Sequence, residues 1–499
     1  MPRLLPKTAA NRGPRGLCVS MRARRAGLVV AACLSILPAA PVAAETPAAS
    51  PQQQGRPLES TESVYRHVLK MTGLDARRPN QDEFIGAVSD AVRSHPSSRG
   101  NLLNRDIAEQ GIKAARSDLF PSVNIGLESV GSSFGRVGKH QYSDFAVRPD
   151  AFLTVQQLIY DGGAVYKRIA AARYNATAVQ ATTAAQTHSF ALQTISVYYD
   201  VVRLRAIVEM ARENVRRYEE LYGQVRERAE GGLIPPSDML QAESRLADAR
   251  ARLIGFLAQY QQVVASFVEL FGRQPENVGL PVINIPVPTS PDEVMDRAFG
   301  QNPTLVARQF GIATSRAEYD ALRASDFPRI GFSVQGSKYD VSNLRKPDYG
   351  VDVRVGVTMN LYSGGLITAR QEQARQRVTE AELQFDSTRL ELERRVKSAL
   401  VDLSSLGERL DAEAITVRTY AATADAYREM FIIGRRGLSD IVSVERDLFD
   451  AQRQFIDNLV DLELSRLVIV SLTGDLLTFL GLDDIALRAP GDRMPRERM

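Results

Sequence analysis

The sequence predicts a mainly α-helical protein with four β-strands, built as an internal duplication. A proline-free stretch from Leu366 to Ile433 carries apolar residues at every seventh position, as in helices that pack side by side in coiled coils. The same pattern occurs 202 positions earlier. Each copy also contains two stretches in which apolar and polar residues alternate, which is typical of strands with one apolar face.

The heptad pattern indicates a helix of roughly 100 Å at 1.5 Å per residue. Such a helix needs neighbours along its whole length, because it cannot form a compact domain by itself. The main apolar row of the second copy consists of Val396, Leu403, Leu410, Val417, Ala424 and Phe431. A second series with the same seven-residue spacing lies beside this row, and Glu413 is its one polar member.

The excess of basic over acidic residues comes from the first part of the chain. The chain has 62 basic and 59 acidic residues, but residues 1–44 hold seven Arg or Lys and no acid. The remainder has a net charge of −4, so we expect no nucleic-acid partner. Both cysteines, Cys18 and Cys33, also lie in this leader, so we expect no disulfide or thiol chemistry in the mature chain.

Residues 1–44 have the pattern of a secretory signal peptide, with Met21 as a possible true start. A basic segment precedes a short apolar run, and a small-residue cleavage site lies just before Glu45. The apolar run is too short for a membrane-spanning helix. A lipoprotein signal with lipidated Cys33 remains an alternative.

Prolines mark the same two points in each copy. Pro96 and Pro303 each open a helix, and Pro121 and Pro328 each follow its end, 25 positions later in both copies. We therefore expect an N-terminal segment at 45–94, a linker at 272–300 and a C-terminal tail at 474–499. The two repeats cover 95–271 and 302–473. Each has a hairpin (121–159, 328–362), a long helix (163–230, 366–433) and a returning helix (237–271, 439–473).

Two kinds of turn join these elements. A tyrosine and two glycines lie between the last strand and the long helix of each copy, where glycine allows a sharp change of direction. These strand-to-helix turns contain Tyr160, Gly162 and Gly163, and Tyr362, Gly364 and Gly365. At the other end of the long helices, Ser237-Asp238 and Ser439-Asp440 are predicted to start the returning helices as N-caps.

The predicted strands have the length and alternation of outer-membrane barrel strands. Four strands cannot close a barrel, and open strand edges are too costly in lipid. If the hairpins enter a membrane, several chains must therefore share one barrel, and the long helices must assemble into a tube that continues it.

The sequence resembles the TolC family of outer-membrane channels. The resemblance depends on the duplicated Pro…Phe-Pro-strand units, the Tyr-x-Gly-Gly turns and the Gly-Arg-Arg-Gly-Leu-Ser-Asp helix tip ending at Asp440. It implies a homotrimer in the outer membrane, with a twelve-stranded barrel, a twelve-helix periplasmic tunnel and an equatorial belt from the N-terminal segment and linker. It also implies a role as the exit duct of tripartite export, with a periplasmic adaptor and an inner-membrane ABC or RND-type transporter.

The resemblance further implies a gate at the inner end of the tunnel. Links between Arg436 and Ser237 or Asp238 would hold the gate shut, with Asp440 lining the constriction and Phe431 matching the family's tip aromatic. Ser443 replaces a second ring aspartate of the family's best-studied member, which weakens the expectation of cation selectivity. The alternative that Asp238 and Asp440 only cap helices, with Arg436 a solvated charge, remains open.

No enzymatic constellation is present in the sequence. The four histidines are scattered, and the Gly135–Lys139 stretch lacks the spacing of a phosphate-binding loop. We therefore expect no enzyme activity, cofactor or metal. The runner-up function is a soluble periplasmic coiled-coil adaptor, against which the duplicated hairpins argue. Overall resemblance favours protein secretion over small-molecule efflux, although the sequence does not identify the exported substrate.

Overall fold

The fold is described from a computed structural model of the chain. It covers residue 70 and residues 79–482, except 133–134, 138–139, 143–145, 277, 286–289, 340, 343–344 and 346, and excludes the side chains of residues 130–148. The predicted signal peptide, Met21 and Cys33 lie outside the described residues, as do residues 45–69 and 71–78 of the predicted N-terminal segment.

The first copy follows the predicted order of elements. Its structure runs α1 (Gln81–Ser94), α2 (Pro96–Ser117), β1 (Ser122–Ser132), β2 (Gly135–Val137), β3 (His140–Tyr142), β4 (Ala146–Tyr160), α3 (Ala164–Glu230) and α4 (Pro236–Phe271). The short strands β2 and β3 pair with each other in the middle of the predicted hairpin at 121–159. The long helix α3 begins one residue after the predicted start and ends at the predicted residue.

The second copy repeats this order without the short strands. Its elements are α6 (Pro303–Arg323), a 3-10 turn (Ala324–Asp326), β5 (Arg329–Lys338), β6 (Tyr349–Thr358), α7 (Leu366–Ile432) and α8 (Leu438–Thr473). Asn302 caps α6, because its side-chain oxygen accepts from Thr304 N at 3.0 Å. Its side-chain nitrogen donates to the Leu472 carbonyl at 3.1 Å, which fixes the start of α6 beside the end of α8.

Two segments differ from the sequence prediction. The predicted linker at 272–300 contains most of a helix, α5 (Pro291–Gln301), which the sequence analysis missed. It starts with proline, and its fully buried Val294 and Ala298 lie one turn apart. The predicted tail at 474–499 begins too early, because α9 (Leu476–Phe479) packs into the core through Leu476 and Leu477.

The helices form two antiparallel coils. We call α3 with α4 the first coil, and α7 with α8 the second coil; α3 also packs against α8 and so joins the two. The polar member of the heptad pattern, Glu413, has a partner here, because Asn458 Nδ2 donates to it at 2.6 Å. None of the helices among the described residues is long and apolar enough to cross a membrane.

The four main strands form one antiparallel sheet in the order β1-β4-β5-β6. The two hairpins therefore meet at β4 and β5, where Val155 lies opposite Val334. Strands β1 and β6 form the edges of this sheet in the described part of the chain. The predicted alternation separates two faces. The apolar face carries Val123, Ile125, Leu127, Leu153, Val155, Phe332, Val334, Val351, Val353, Val355 and Val357. The other face carries Asn124, Glu128, Thr154, Gln156, Ser333, Gln335, Asp352 and Arg354.

Candidate gate at the helix tips

Both long helices end in the same hydrogen-bonded turn. After α3, Leu233 N donates to the Arg228 carbonyl at 2.9 Å and Gly232 N donates to the Ala229 carbonyl at 3.0 Å. Gly232 has a φ of 70°, the left-handed conformation that this Schellman turn requires and that glycine adopts without strain. Gly434, with a φ of 75°, makes the equivalent turn after α7.

The predicted N-caps have a different position in the structure. Pro235 and Gly437 are the N-cap residues of α4 and α8, and neither makes a side-chain cap hydrogen bond. Asp238 and Asp440 each lie three residues after the N-cap, within the first helical turn. They therefore act on the helix through its dipole rather than as N-caps, and the capping prediction is wrong in this respect.

Arg436 makes its contacts within the second tip. Its Nη1 lies 3.3 Å from Asp440 Oδ2, and its guanidinium lies over the Tyr427 ring, 4.5 Å from the centroid. Both side chains of the ion pair are 42% exposed, so this contact leaves them accessible. On the first tip, Ser237 Oγ lies 3.5 Å from Asp238 Oδ1. The structure thus brings Arg436 to Asp440, and the predicted links from Arg436 to the first tip are not among the contacts of the described chain.

A different arginine connects the two tips. Arg228, near the end of α3, donates from Nη1 to the Phe431 carbonyl at 2.8 Å and from Nη2 to the Ile432 carbonyl at 2.5 Å. Its guanidinium also lies 4.8 Å from the centroid of the Phe431 ring. Arg228 therefore adds a donor to the last carbonyls of α7, of which that of Phe431 also accepts from Gly434 N. Local sequence cannot reveal this role, because Arg228 and Phe431 are 203 positions apart.

Phe431 belongs to the packed core of the tip region. It is 4% exposed and packs among apolar residues from both coils. The buried members of this tip cluster are Val215, Tyr218, Leu221, Val225, Ala242, Leu246, Ala249, Phe431, Leu438, Ile441 and Val442. The position of this aromatic residue inside the cluster means that it holds the two tips together.

Glu445 is a buried carboxylate above the tips that the sequence analysis missed. It is 3% exposed, and its two oxygens bind arginines from two different helices. Arg428 of α7 donates to Oε1 from Nε at 2.8 Å and also from Nη2, while Arg217 Nη1 of α3 donates to Oε2 at 3.4 Å. The sequence held one signal for this site, since Glu445 lies between Ile441 and Leu448 on the apolar stripe of α8.

Tyr218 adds a neighbouring link between the coils. Its hydroxyl donates to the Val442 carbonyl at 3.4 Å, so that α3 is hydrogen-bonded to α8. Burial raises the pKa of this tyrosine above its usual value, which keeps the hydroxyl protonated as a donor.

The strand-to-helix turn of the first copy is closely packed. Gly162 and Gly163 have φ values of 72° and 85°. A Cβ on Gly162 would lie 2.6 Å from Phe327 Cβ and 2.8 Å from the Ala324 carbonyl oxygen, so only glycine fits. Beside them, the buried carboxylate of Asp161 accepts from Val165 N at 2.9 Å.

The equivalent turn of the second copy has the same backbone but few neighbours. Gly364 and Gly365 have φ values of 63° and 83°, and a Cβ on either would meet no atom within 4 Å. Ser363 replaces the aspartate, and its Oγ accepts from Ile367 N at 3.3 Å. Tyr362 is 86% exposed, whereas its first-copy equivalent Tyr160 is 47% exposed.

Comparison with known proteins identifies the family. The profile described as "Outer membrane efflux protein" matches residues 87–273 and 294–475, which is more than half of the chain. Among curated proteins, the chain is similar to outer membrane efflux protein BepC of Brucella suis biovar 1, at 20% identity over 82% of this chain and 88% of BepC. It is also similar to outer membrane protein TolC of Escherichia coli, at 20% identity over 82% of this chain and 85% of TolC.

Two further proteins extend the comparison. The alkaline protease secretion protein AprF of Pseudomonas aeruginosa is 23% identical over 54% of this chain and 56% of AprF. The solved structure of the Campylobacter jejuni CmeC outer membrane channel superposes with a TM-score of 0.70, at 13% identity over 78% of this chain and 85% of CmeC.

These relatives and structural neighbours are outer-membrane channel proteins and not enzymes. The fold class predicted from the sequence, long helices that continue a sheet of membrane type, is that of the neighbouring channel. The match confirms the resemblance to the TolC family that the duplicated motifs indicated. The chain belongs to the outer membrane efflux protein family and is a protein of the outer membrane.

Proposed function

We propose that three copies of this chain form the exit channel of a tripartite export machine, joined to a periplasmic adaptor and an inner-membrane ABC or RND-type transporter. The observation that carries this proposal is the open four-stranded sheet. Its edges β1 and β6 have no neighbour in the described chain, and one of its faces is apolar. Open edges cannot lie in lipid, so further copies must complete the sheet.

The joint between the two repeats supplies a template for the joint between chains. Inside the chain, β4 of the first repeat pairs with β5 of the second, and Gly162 packs against Phe327. The equivalent joint between chains would pair β6 with β1 of the partner subunit. It would also place Gly364 against Phe120 of the partner subunit.

The long helices support the same template. Leu240 and Ile254 of α4 and Val401 of α7 are 62%, 67% and 64% exposed. Their equivalents, 202 positions away in the other copy, are all buried inside the chain. These equivalents are Val442, Ile456 and Tyr199, which are 7%, 0% and 0% exposed. A partner subunit docked in the same way would cover the three exposed side chains, which stabilises the assembly by burial of apolar surface.

The template also gives a register for the strands. Val155 pairs with Val334 inside the chain. Val357 is equivalent to Val155, and Leu127 is equivalent to Val334 at an offset of 207 positions. Val357 should therefore lie opposite Leu127 of the partner subunit. Three such joints would close twelve strands into a barrel, with the apolar face toward lipid and the Asp352–Arg354 face toward the lumen.

The gate hypothesis extends the proposal to the inner end of the tunnel. Within the described chain, Arg436 contacts Asp440 and makes no contact with Asp238 or Ser237. We therefore place its links to Asp238 and Ser237 between chains. Three exposed pairs of about 0–1 kcal/mol each can together bias a two-state opening. Asp440 would line the constriction, and Ser443 would reduce the number of acidic groups there.

For the cargo, we favour a secreted protein over small molecules. The similarity to a protein named for alkaline protease secretion supports this choice. The similarity to a protein named for efflux supports the other class. Deleting the gene should remove one or more proteins from the culture medium and leave antibiotic sensitivity nearly unchanged. Sensitisation to antibiotics with normal protein secretion would instead assign the channel to efflux.

The assembly itself can be tested by cross-linking. Cysteines at Val357 and Leu127 should form an interchain disulfide in outer-membrane vesicles, since paired residues of antiparallel strands have Cα atoms about 4.5–5.5 Å apart. The control pair, Val357 with Val123, is displaced by four residues, about 13 Å, and should not react. Recovery of the protein as a water-soluble periplasmic monomer would refute the channel proposal.

A further inference from the structure

A groove lies where the start of α6 meets the end of α8, between α3 and α7. Its volume is about 380 Å³, which is within the range of small-molecule sites in proteins. The groove is far along the chain from both helix tips, and none of the gate residues lines it. Its lining is apolar at the base and carries charged and hydroxyl side chains.

The imidazole of His188 lines this groove from α3. His188 is 5% exposed, and its Nδ1 has no hydrogen-bond partner among the described residues. A buried polar atom without a partner is unfavourable, so a bound molecule that pairs with it is stabilised. In a neutral imidazole either nitrogen can carry the proton, and Nδ1 can therefore donate to such a molecule.

Arg394 lines the same groove from α7, and its guanidinium makes no ion pair or hydrogen bond with any residue that the structure describes. The basic residues beside it are paired. Arg395 Nη2 lies 2.5 Å from Glu391 Oε1, and Lys397 Nζ lies 2.6 Å from Glu393 Oε1. A guanidinium offers five donors in a fixed fork that matches the oxygens of a carboxylate or phosphate group. Arg394 therefore supplies the groove with an uncommitted cation.

Three hydroxyl groups add uncharged donors from three helices. Ser189 of α3, Thr304 of α6 and Ser471 of α8 line the groove, and in the described chain their hydroxyls make no hydrogen bond. By contrast, the hydroxyl of Thr194 in α3 donates to the Phe190 carbonyl at 2.9 Å. The groove hydroxyls are thus available to a bound molecule.

The acidic side chain that lines the groove lies apart from this cation. Asp402 follows Arg394 by eight positions on α7, which is about 12 Å of helix. Its Oδ2 accepts from the Ser398 hydroxyl at 3.5 Å. The part of the groove at Arg394 therefore favours an anionic group.

We propose that this groove binds a small molecule through a carboxylate or phosphate group, which Arg394 and His188 Nδ1 hold together. The free hydroxyls complete the set of donors. A groove of about 380 Å³ has room for a small organic acid or phosphate ester and not for a folded domain.

The direction in which the groove opens gives its place in the channel. Val396 is fully buried and packs in one cluster with Val294 and Ala298 of α5. Arg394 and Ser398 lie two positions to either side of Val396, about 200° around the helix, so the groove opens on the side of α7 away from α5. This step rests on the proposed function, in which the linker that contains α5 belongs to a belt around the tunnel. The groove then faces the lumen.

Calorimetry on the purified full-length protein in detergent tests the site. Inorganic phosphate and succinate are titrated separately, each against sodium chloride of equal ionic strength. At least one of them should bind wild type with a Kd of about 1 mM or tighter. The tighter of the two identifies the acidic group that the groove prefers.

Two variants remove the proposed donors. Arg394→Gln should weaken the binding of the preferred probe about tenfold or more, because a charge-assisted pair is lost. His188→Leu removes an uncharged donor and should weaken it about threefold. Arg394 is exposed, so Arg394→Gln should fold as wild type does.

Lys397→Gln is the matched control. It removes the same charge three positions further along α7, from a side chain that does not line the groove, and should leave the affinity unchanged. The proposal is overturned if neither probe binds wild type, in which case a water molecule is the partner of His188. It is also overturned if Lys397→Gln weakens binding as much as Arg394→Gln, because binding then depends on overall charge.

Conductance in planar bilayers separates this inference from the channel proposal. A probe bound in the lumen should lower the single-channel current of wild type reversibly, and Arg394→Gln should remove this effect at the same probe concentration. A protein that binds the probe but never conducts would refute the channel and retain the site. Conducting channels that bind the probe without any change in current would refute the placement of the groove in the lumen.

Discussion

The two strand-to-helix turns have nearly the same backbone and very different surroundings. In the first copy, Gly162 lies against Phe327 and leaves no room for a Cβ, and Asp161 is buried beneath the start of α3. In the second copy, a Cβ on Gly364 would meet no atom within 4 Å, and the Ser363 hydroxyl accepts from Ile367 N at the longer distance of 3.3 Å. The first turn has the other repeat beside it in the same chain, whereas no described residue lies within 4 Å of a Cβ placed on either glycine of the second turn.

This difference separates the backbone conformation of a turn, which its own residues set, from the packing around it, which distant residues set. The paired glycines set the local turn in both copies, because positive φ angles favour glycine wherever they occur. The packing around the first turn depends on Phe327, an aromatic residue more than 150 positions away in sequence. The same glycine motif therefore predicts the same backbone turn in both copies. Comparison of the two copies then shows that the second turn lacks the neighbouring residues that pack against the first.

Alanine substitutions at the turn glycines give the sharpest test of this comparison. Gly162→Ala should destabilise the chain by about 2–5 kcal/mol, from the left-handed backbone and the clash with Phe327 together. Gly364→Ala should cost only about 1–2 kcal/mol in an unassembled chain. In assembled trimers it should become as damaging as Gly162→Ala, measured as the temperature at which trimers dissociate in detergent.

The neighbouring glycines provide the control for this prediction. A Cβ on Gly163 or Gly365 meets no atom within 4 Å, so alanine there adds only the backbone cost. If Gly364→Ala trimers dissociate at the same temperature as Gly365→Ala trimers, no partner packs on the second turn.

An arginine on the apolar face of β6 should have the next largest effect. Val355→Arg should cost about 2–4 kcal/mol per chain if the side chain faces the middle of the bilayer. Leu153→Arg, the equivalent change in β4, should cost about the same. Both should lower the yield of heat-resistant trimers in outer membranes, and Thr358→Arg on the other face should lower it much less. Equal yields from Val355→Arg and Thr358→Arg would contradict the assignment of the faces.

His188 distinguishes the two copies in its response to acid. Burial lowers the pKa of His188 to about 4, whereas the equivalent second-copy residue is the exposed Leu390. Because the folded pKa lies below the unfolded value of 6.5, His188 contributes stability that is fully present above pH 6.5 and lost as the pH falls toward 4. The loss should reach about 3 kcal/mol.

Replacing the histidine isolates this contribution. His188→Leu should remove that part of the pH dependence, measured as the difference between variant and wild type in thermal unfolding midpoints from pH 4 to pH 7. Subtracting the wild type cancels the carboxyl groups of Asp200 and Glu463, whose pKa values burial raises and whose effect has the opposite sign. Parallel curves for the two proteins would rule out a buried, neutral His188.

The gate residues should give the smallest energetic effects. Arg436→Ser removes an exposed pair of about 0–1 kcal/mol, but three copies act together. Resting conductance in planar bilayers and antibiotic entry into cells should therefore both rise. Asp440→Ala should lower cation preference with little opening. If Arg436→Ser leaves resting conductance unchanged, the gate hypothesis is wrong, and Asp238 and Asp440 act only on the ends of their helices.

The sequence alone determined the features that depend on near neighbours along the chain. Heptad spacing placed both long helices to within one residue, and alternation placed the apolar face of the sheet, because helix and strand periods are local properties. The 11-residue helix α5 was missed, because a short helix after a proline-rich segment has too few turns to show a period.

Only the tertiary structure decided which charged side chains meet. The sequence predicted that Arg436 pairs with Asp238, whereas in the structure Arg436 pairs with Asp440. The residue that connects the two tips is Arg228. The pairing of Arg217 with Glu445 spans 228 positions. An arginine reaches any carboxylate or carbonyl within its length, so its partner depends on how the helices are placed in space. No repeat or period in the sequence encodes that choice.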